Sequence, residues 1–274
     1  MLKPNINIIF IGHVDAGKST LSGRILKNLK LVDEQELKKN EQEAKSLGRQ
    51  GWELAFITSA IPDEKAKGKT VECSKTLFGL DKRRYTLFDA PGHKNYVPNM
   101  IVGACQSDLA VLIISAKMGE YESGFDKEGQ TKEHAMLARA LGVHSIFCVV
   151  TKMDTIEWDL ERFNKIQSEV SLFLKNSCGY DKVKFIPIDS LLDINIDSRN
   201  YEKACSWYHG ESFFEMLDNI EVLKKSPEGA LRIPVTDKFK DQGHLYVFGK
   251  VESGALVEDQ TVSLMPSKAY FVVK

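Results

Sequence analysis

The sequence predicts an α/β protein with a mostly parallel, doubly wound sheet, followed by the start of a β-barrel domain. Three observations carry this expectation. Apolar, β-branched runs alternate with amphipathic helical stretches from Ile6 to Ile220. A glycine-rich loop stands at the first junction between run and helix. Beyond Ile220 the alternation gives way to short strands punctuated by Gly, Pro and Asp.

The first run, Ile6–Ile11, is continuously apolar, as a strand covered on both faces must be. It passes through "GHVDAGKS" into a helical stretch, Lys18–Leu29, and the charged Glu34–Leu47 then reads as an exposed helix. "DKRRY" (Asp81–Tyr85) is a basic hairpin turn expected to be solvated, and it leads into the buried run Tyr85–Phe88. Further runs at Leu109–Ile114, Ser145–Val150 and Lys184–Ile188 alternate with helical stretches at Val97–Gly103, Thr131–Leu141, Asp159–Lys175 and Glu211–Ile220. "WYHG" (Trp207–Gly210) is expected to pack the last helix onto the sheet. Strands joined through helices run parallel, and their ligands sit beyond the carboxyl ends. The residues that close each run are therefore where a site is sought.

"KKSPEGA" (Lys224–Ala230) has linker composition, and "LRIPVTDKF", "HLYVFGKVESG" and "QTVSLMPS" read as short strands. The expected division is residues 1–222 as one domain, 223–230 as linker and 231–274 as an incomplete barrel. At 274 residues the chain can bury a sizeable core, and 43% hydrophobic with 27% charged residues excludes average disorder. A formal charge of −1 gives no overall basic excess, so a dedicated DNA binder is not expected. The five cysteines are scattered and form no Cys-x-x-Cys pair, which points to reduced thiols. No apolar stretch reaches membrane-span length, so neither a membrane partner nor a signal peptide is expected, and the cytoplasm is the expected location.

"GHVDAGKS", Gly12–Ser19, matches G-x-x-x-x-G-K-[ST] between a strand and a helix. Backbone N–H groups at Asp15, Ala16 and Gly17 would cradle phosphate oxygens, Lys18 would bridge the β- and γ-phosphates, and Ser19 would hold Mg²⁺. Thr20, packed in the helix that follows, is counted with this contact set. "LFDAPGH" (Leu87–His93) closes the next run with Asp89, placed to reach Mg²⁺ through water, and with Gly92, whose backbone can approach a γ-phosphate. An ordinary turn produces the same Asp-x-x-Gly. "CVVTKMD" (Cys148–Asp154) ends in a carboxylate that can accept the ring N–H and exocyclic amine of guanine, two donors that adenine lacks. Lys152 would lay its stem along the base while Met153 points into the core. Asp154 could equally cap the next helix, but with the phosphate loop and Asp89 preceding it in order, the guanine reading is preferred.

With "GHVDAGKST", "KGKTVE", "DAPGHKNYVPNMI", "GQTKEHAMLA" and "TKMD" in one chain, the sequence resembles the translational GTPases related to elongation factor 1-alpha. "KGKTVE" and "HKNYVPNM" are most similar to the eukaryotic class II peptide chain release factors, with ribosome-rescue GTPases close behind, and "FKDQG" is similar to both. The resemblance implies a P-loop GTPase domain with GTP or GDP and Mg²⁺ as cofactors. It implies that Thr70 caps Mg²⁺ when the γ-phosphate is present, and that His93 orients the attacking water when the ribosome engages. Asp15 and His13 match loop positions of the family. The implied partners are the ribosome and a class I peptide chain release factor, or a rescue-factor relative. The implied task is termination; rescue, elongation and a nucleotide-holding module with little turnover are the alternatives.

Three positions depart from the family pattern. Thr151 stands where the base motif has Asn, offering one polar group where an amide offers two. The fifth motif aligns with Asp189, Ser190 and Leu191, and a carboxylate near Asp154 is expected to turn outward or to meet Lys152. Lys65 replaces a common Arg. With no candidate arginine finger in cis, isolated turnover is expected to be slow.

Overall fold

The computed structural model describes residues 3–49, 51–58, 70, 73–126, 129–198, 204–221, 227–241 and 243–274. By internal contacts the chain divides into Met1–Val222 and Leu223–Lys274. The first unit is an α/β layer structure on a six-stranded sheet of order β2-β3-β1-β4-β5-β6. Its strands are β1 (Asn5–Ile11), β2 (Ser74–Gly79), β3 (Arg84–Asp89), β4 (Leu109–Ser115), β5 (Ser145–Thr151) and β6 (Phe185–Pro187). β1 pairs in parallel with β3 and β4, β4 with β5, and β5 with β6, while β2 runs antiparallel on β3.

The side chains of β1 alternate between two cores, as a period of two dictates. Ile9 and Ile11 join Met100 and Ala104 of α4 (Val97–Gln106), Ala135 and Ala138 of α6 (Gln130–Ala140), and Ile166 and Val170 of α7 (Leu160–Cys178). Ile8 and Phe10 face Leu21 and Ile25 of α1 (Lys18–Asn28) and Phe213 and Leu217 of α8 (Phe213–Asn219). Both faces are thus covered, and every residue of β4 is buried. That is why the sequence shows these strands as unbroken apolar runs.

Where expectation and structure differ, the cause is local. β2 was not anticipated because, as an edge strand, it buries only Phe78 of its six residues and carries no apolar run. The turn before β3 is a latch as well as a basic loop. The Lys82 amide donates to Asp218 Oδ2 at 3.0 Å, its ammonium donates to Asn219 at 2.6 Å, and Arg83 donates to the Ile220 carbonyl at 2.8 Å. These cations close the C-terminus of α8, where carbonyls and the helix dipole favour positive charge. Within "WYHG", Tyr208 packs against the core cluster that joins Phe213, Met216 and Leu217 of the last helix to the sheet, while Trp207 packs onto α7, its ring 5.1 Å from that of Phe163 and its Nε1 donating to the Trp158 carbonyl at 2.8 Å. The charged stretch forms α2 (Glu34–Ser46), whose only buried residues are Asn40 and Ala44.

The second unit holds two antiparallel pairs, β7 (Val235–Asp241) with β8 (His244–Gly249) and β9 (Thr261–Leu264) with β10 (Ala269–Val272). They fit the start of a barrel. Phe239 stacks on Tyr246 with centroids 4.7 Å apart, yet all six residues of β8 are exposed. Lys65, most of "KGKTVE", Gln242 of "FKDQG" and the first part of the expected linker lie outside the described residues. Among the described residues, no helix is long and apolar enough to cross a membrane.

Candidate functional site

The carboxyl ends of β1, β3, β5 and β6 open onto one cavity of about 300 Å³. Its lining contains Asp15, Gly17, Lys18, Ser19, Thr20, Thr70, Gly92, His93, Thr151, Lys152, Asp154, Asp189, Ser190 and Leu191. Ala16 and Asp89 are not on its surface. Ala16 is buried with its carbonyl turned to Thr151, and Asp89, 1% exposed, lies close enough to Lys18 for their charges to interact. Segments far apart in sequence thus converge on a single concave site.

At one end the loop from Gly12 to Gly17 leaves β1 and starts α1 at Lys18. Gly12 has φ +144°, and a Cβ there would collide with the Ile113 carbonyl oxygen, so the loop lies flush against β4. The Lys18 ammonium donates to the carbonyls of Gly12 (3.0 Å) and His13 (2.7 Å). Burial lowers its pKa to about 8, while the carboxylates of Asp89 and Asp15 pull it back upward. Ser19 Oγ and Thr70 Oγ1 are 3.1 Å apart. These two hydroxyls, with the Asp89 carboxyl that lies near Lys18, are oxygen donors of the kind Mg²⁺ takes, one of them a carboxylate. Among the described residues no group of three or more His, Cys, Asp or Glu could form a denser metal cage. A Cβ on Gly92 would stand 2.5 Å from Lys18 Nζ and 2.8 Å from the Val14 amide nitrogen, so only glycine brings this backbone so close to the loop. His93 caps a 3-10 turn, its Nδ1 accepting from the Asn95 amide at 3.2 Å, and its side chain reaches the cavity wall.

At the other end, Thr151 closes β5 with a fully inward hydroxyl. Its Oγ1 lies 2.7 Å from the Ala16 carbonyl and 3.2 Å from the Ile114 carbonyl, tying the phosphate loop to the end of β4. Lys152 has φ +57°, an uncommon left-handed conformation that swings the chain into a 3-10 turn with Met153 fully buried beneath it. Asp154 is exposed to the cavity, and the cap of α7 is Asp159, which accepts from the amides of Glu161 and Arg162. The capping alternative for Asp154 is thereby removed.

Asp189 behaves differently from expectation. It neither turns outward nor meets Lys152. It stays 3% exposed, with Oδ1 accepting from the amides of Leu191 and Leu192, each at 2.7 Å. Burial, then a hydrogen bond with Asp154, raises its pKa to about 6. Lys152 pairs with Glu120 at 2.7 Å instead.

Several supporting residues were not singled out from the sequence. Glu120, on the short α5 (Glu120–Phe125), orients Lys152 and also accepts from Ser115. Arg24 reaches from α1 to the carbonyls of Ser190 and Leu191, both at 2.6 Å, and Asn28 reaches Asp193 at 2.7 Å. Trp52, Ala55 and Phe56, around the one-turn α3 (Ala55–Thr58), supply apolar wall. His134 Nδ1 accepts from the Gly12 amide at 3.4 Å, and burial beside Lys18 lowers its pKa to about 3, keeping it neutral.

The model of the elongation factor Tu GTP binding domain family matches residues 3–225. The chain belongs to that family. Within this GTP-binding family it is 46% identical over 97% of its length to the eukaryotic peptide chain release factor GTP-binding subunit of Candida maltosa, of which it covers 38%. It therefore spans about two fifths of the length of that curated relative. A crystal structure of sup35 complexed with GDP is 32% identical, with TM-score 0.62, covering 98% of this chain and 57% of the other. The S. cerevisiae Ski7 GTPase-like domain bound to GTP superposes with TM-score 0.76 at 22% identity, covering 95% of this chain and 60% of its own, and shows the shared fold.

Proposed function

We propose that this chain binds and hydrolyses GTP with Mg²⁺ as a molecular switch in translation termination, assisting a class I release factor on the ribosome. The observation that carries the reading is the single cavity joining Lys18, Gly92, Asp154 and the residues around Asp89. Lys18 neutralises the β- and γ-phosphates, and backbone amides of the loop from Asp15 to Ser19 hold their oxygens. Ser19, Thr70 and, through water, Asp89 would hold the metal, which would supply charge neutralisation at the phosphates. Asp154 reads the guanine edge, Lys152 lies along the base and Thr151 ties the two ends of the site together. His93 orients the attacking water.

Thr70 and Gly92 line the same cavity from separate segments, so a terminal phosphate bound by both would hold both loops and its loss would release both. Similarity to release-factor subunits supports termination over rescue or elongation. Residues 1–222 are the GTP-binding domain and 231–274 the opening of a barrel domain in this reading.

The test is GTP and GDP affinity together with phosphate release in the presence and absence of ribosomes. His93→Ala should keep GDP affinity within about twofold and lose the ribosome-stimulated component, because the imidazole acts on water and makes no bond to the nucleotide. Tight binding with no stimulation in a full-length protein would instead assign a nucleotide-holding module.

A further inference from the structure

The base end of the cavity is lined in part by Asp189, Ser190 and Leu191, three residues of the loop that follows β6. Apolar packing does little to hold this loop: Leu191 is 50% and Leu192 61% exposed. Two buried polar side chains hold it instead. The Arg24 guanidinium, reaching across from α1, donates through Nε to the Ser190 carbonyl and through Nη2 to the Leu191 carbonyl, both at 2.6 Å. The Asp189 carboxyl accepts at Oδ1 from the amides of Leu191 and Leu192, both at 2.7 Å. The Ser190 carbonyl and the Leu191 amide belong to one peptide group, and the Leu191 carbonyl and the Leu192 amide belong to the next. In a trans peptide the C=O and N–H point to opposite sides. Arg24 and Asp189 therefore grip the same two consecutive peptide groups from opposite edges. The carbonyl ends of both peptide dipoles face the cation and their N–H ends face the carboxyl, which is the favourable sense for both. Four residues beyond Arg24 on the same helix, Asn28 adds a second hold by donating to Asp193 at 2.7 Å.

We propose that Arg24 and Asp189 are a linked positioning pair: through the two peptide groups they share, they fix the base loop against α1 and so slow escape of the nucleoside. Arg24 lies behind the loop, outside the cavity lining among the described residues, so it acts on the ligand only through the loop. The pairing gives the departure at Asp189 a reason. With a guanidinium on the far edge, an acidic acceptor completes two hydrogen-bond chains that run from cation through peptide to carboxyl, and such chains polarise one another. A loop released from either grip must be ordered again each time a base binds, which costs affinity and shows mainly as faster release.

The inference rests on the guanine reading above, and the experiment separates the two. Release of fluorescent GDP with Mg²⁺ is timed at pH 7.5 for wild type, Arg24→Ala, Asp189→Ala and the double variant, and affinities for guanosine and for inorganic pyrophosphate are measured beside it. Each single substitution should speed release and weaken guanosine by about tenfold, with pyrophosphate within about twofold of wild type. The double variant should release GDP about as fast as the faster single, because either loss already frees the same two peptide groups. Arg24→Lys, which keeps a cation behind the loop, and Asp189→Asn, which keeps the Oδ1 acceptor, guard against misfolding and should recover most of the retention. In nucleotide-free Arg24→Lys the amide proton resonances of Leu191 and Leu192 should shift, although Arg24 bonds only to carbonyls. Release rates that multiply in the double variant overturn the pairing. Unchanged release in both alanine variants, or amide resonances that stay in place, overturns the positioning role while GDP binding stands. Absence of GDP binding by wild type overturns the guanine reading, and this inference falls with it.

Discussion

The two ends of the cavity are built by different physics. The phosphate end is made of backbone: glycines that permit close approach, a helix start at Lys18, and one ammonium held over the loop carbonyls. The base end is made of side chains drawn from four separate segments: Arg24 and Glu120 are tied to partners far away in the chain, Asp154 sits in the turn after β5, and Asp189 is held by the amides two and three residues on. Backbone geometry tolerates little substitution but is fixed once the strand and helix form. A side-chain assembly admits replacements, and here it has them, at Thr151 and Asp189. The difference explains how one site can hold a family's phosphate loop unchanged and still depart at the base.

If that contrast holds, the largest effect falls at the phosphate end. Lys18→Ala removes charge-assisted bonds to the phosphates and should weaken GDP binding by about 3 kcal/mol, on the order of a hundredfold, with guanosine binding nearly unchanged. An equal loss for guanosine, read by competition against a labelled nucleotide, would mean that the two ends do not act separately. Next comes Asp154→Asn, which replaces one acceptor oxygen by a donor. It should cost about 2 kcal/mol of preference for GDP over IDP, whose base lacks the exocyclic amine. Unchanged discrimination would assign Asp154 to the turn alone.

A comparable effect, this time on stability, belongs to Asp189. Its folded pKa of about 6 lies above the ordinary 3.8, so the folded chain binds the proton more tightly than the unfolded chain. The stabilisation is fully present below about pH 4 and is lost as pH rises through about 6, amounting to about 3 kcal/mol at most. Asp189→Asn should remove this component from the pH dependence of the urea midpoint between pH 4 and 7. Parallel curves for wild type and variant would place the proton elsewhere.

The same contrast governs what could be read from sequence. The phosphate loop is contiguous, its residue types are each required by backbone or charge, and the flanking strand and helix have unambiguous apolar patterns, so Gly12 to Ser19 could be placed outright. Asp89 and Asp154 are isolated residues at strand ends, and only their order after the loop gave them meaning. Arg24 was illegible because its partners are carbonyls 166 and 167 positions away, and a carbonyl has no residue signature. Glu120 sits on a six-residue helix, too short to show a period, and β2 buries a single side chain. Trp52 and Phe56 look like any apolar pair until the turn of α3 sets them against the cavity. Asp189 was recognised as a departure, but whether it would point out or in depended on the Leu191 and Leu192 amides, which no sequence pattern announces.

The smallest expected effect tests the joint between the ends. The Thr151 hydroxyl spans Ala16 of the phosphate loop and Ile114 of β4, and it is buried. Thr151→Val keeps the shape and removes the one O–H donor shared by the two carbonyls; a loss of about 1 kcal/mol in unfolding free energy is expected. Thr151→Ser keeps the hydroxyl and should lose less. Because the bond joins the two ends, GDP affinity should fall by a few-fold in Thr151→Val, and the affinities for inorganic pyrophosphate and for guanosine should fall together. A loss confined to one of these ligands would place the threonine in that end alone and leave the phosphate loop and base pocket mechanically independent.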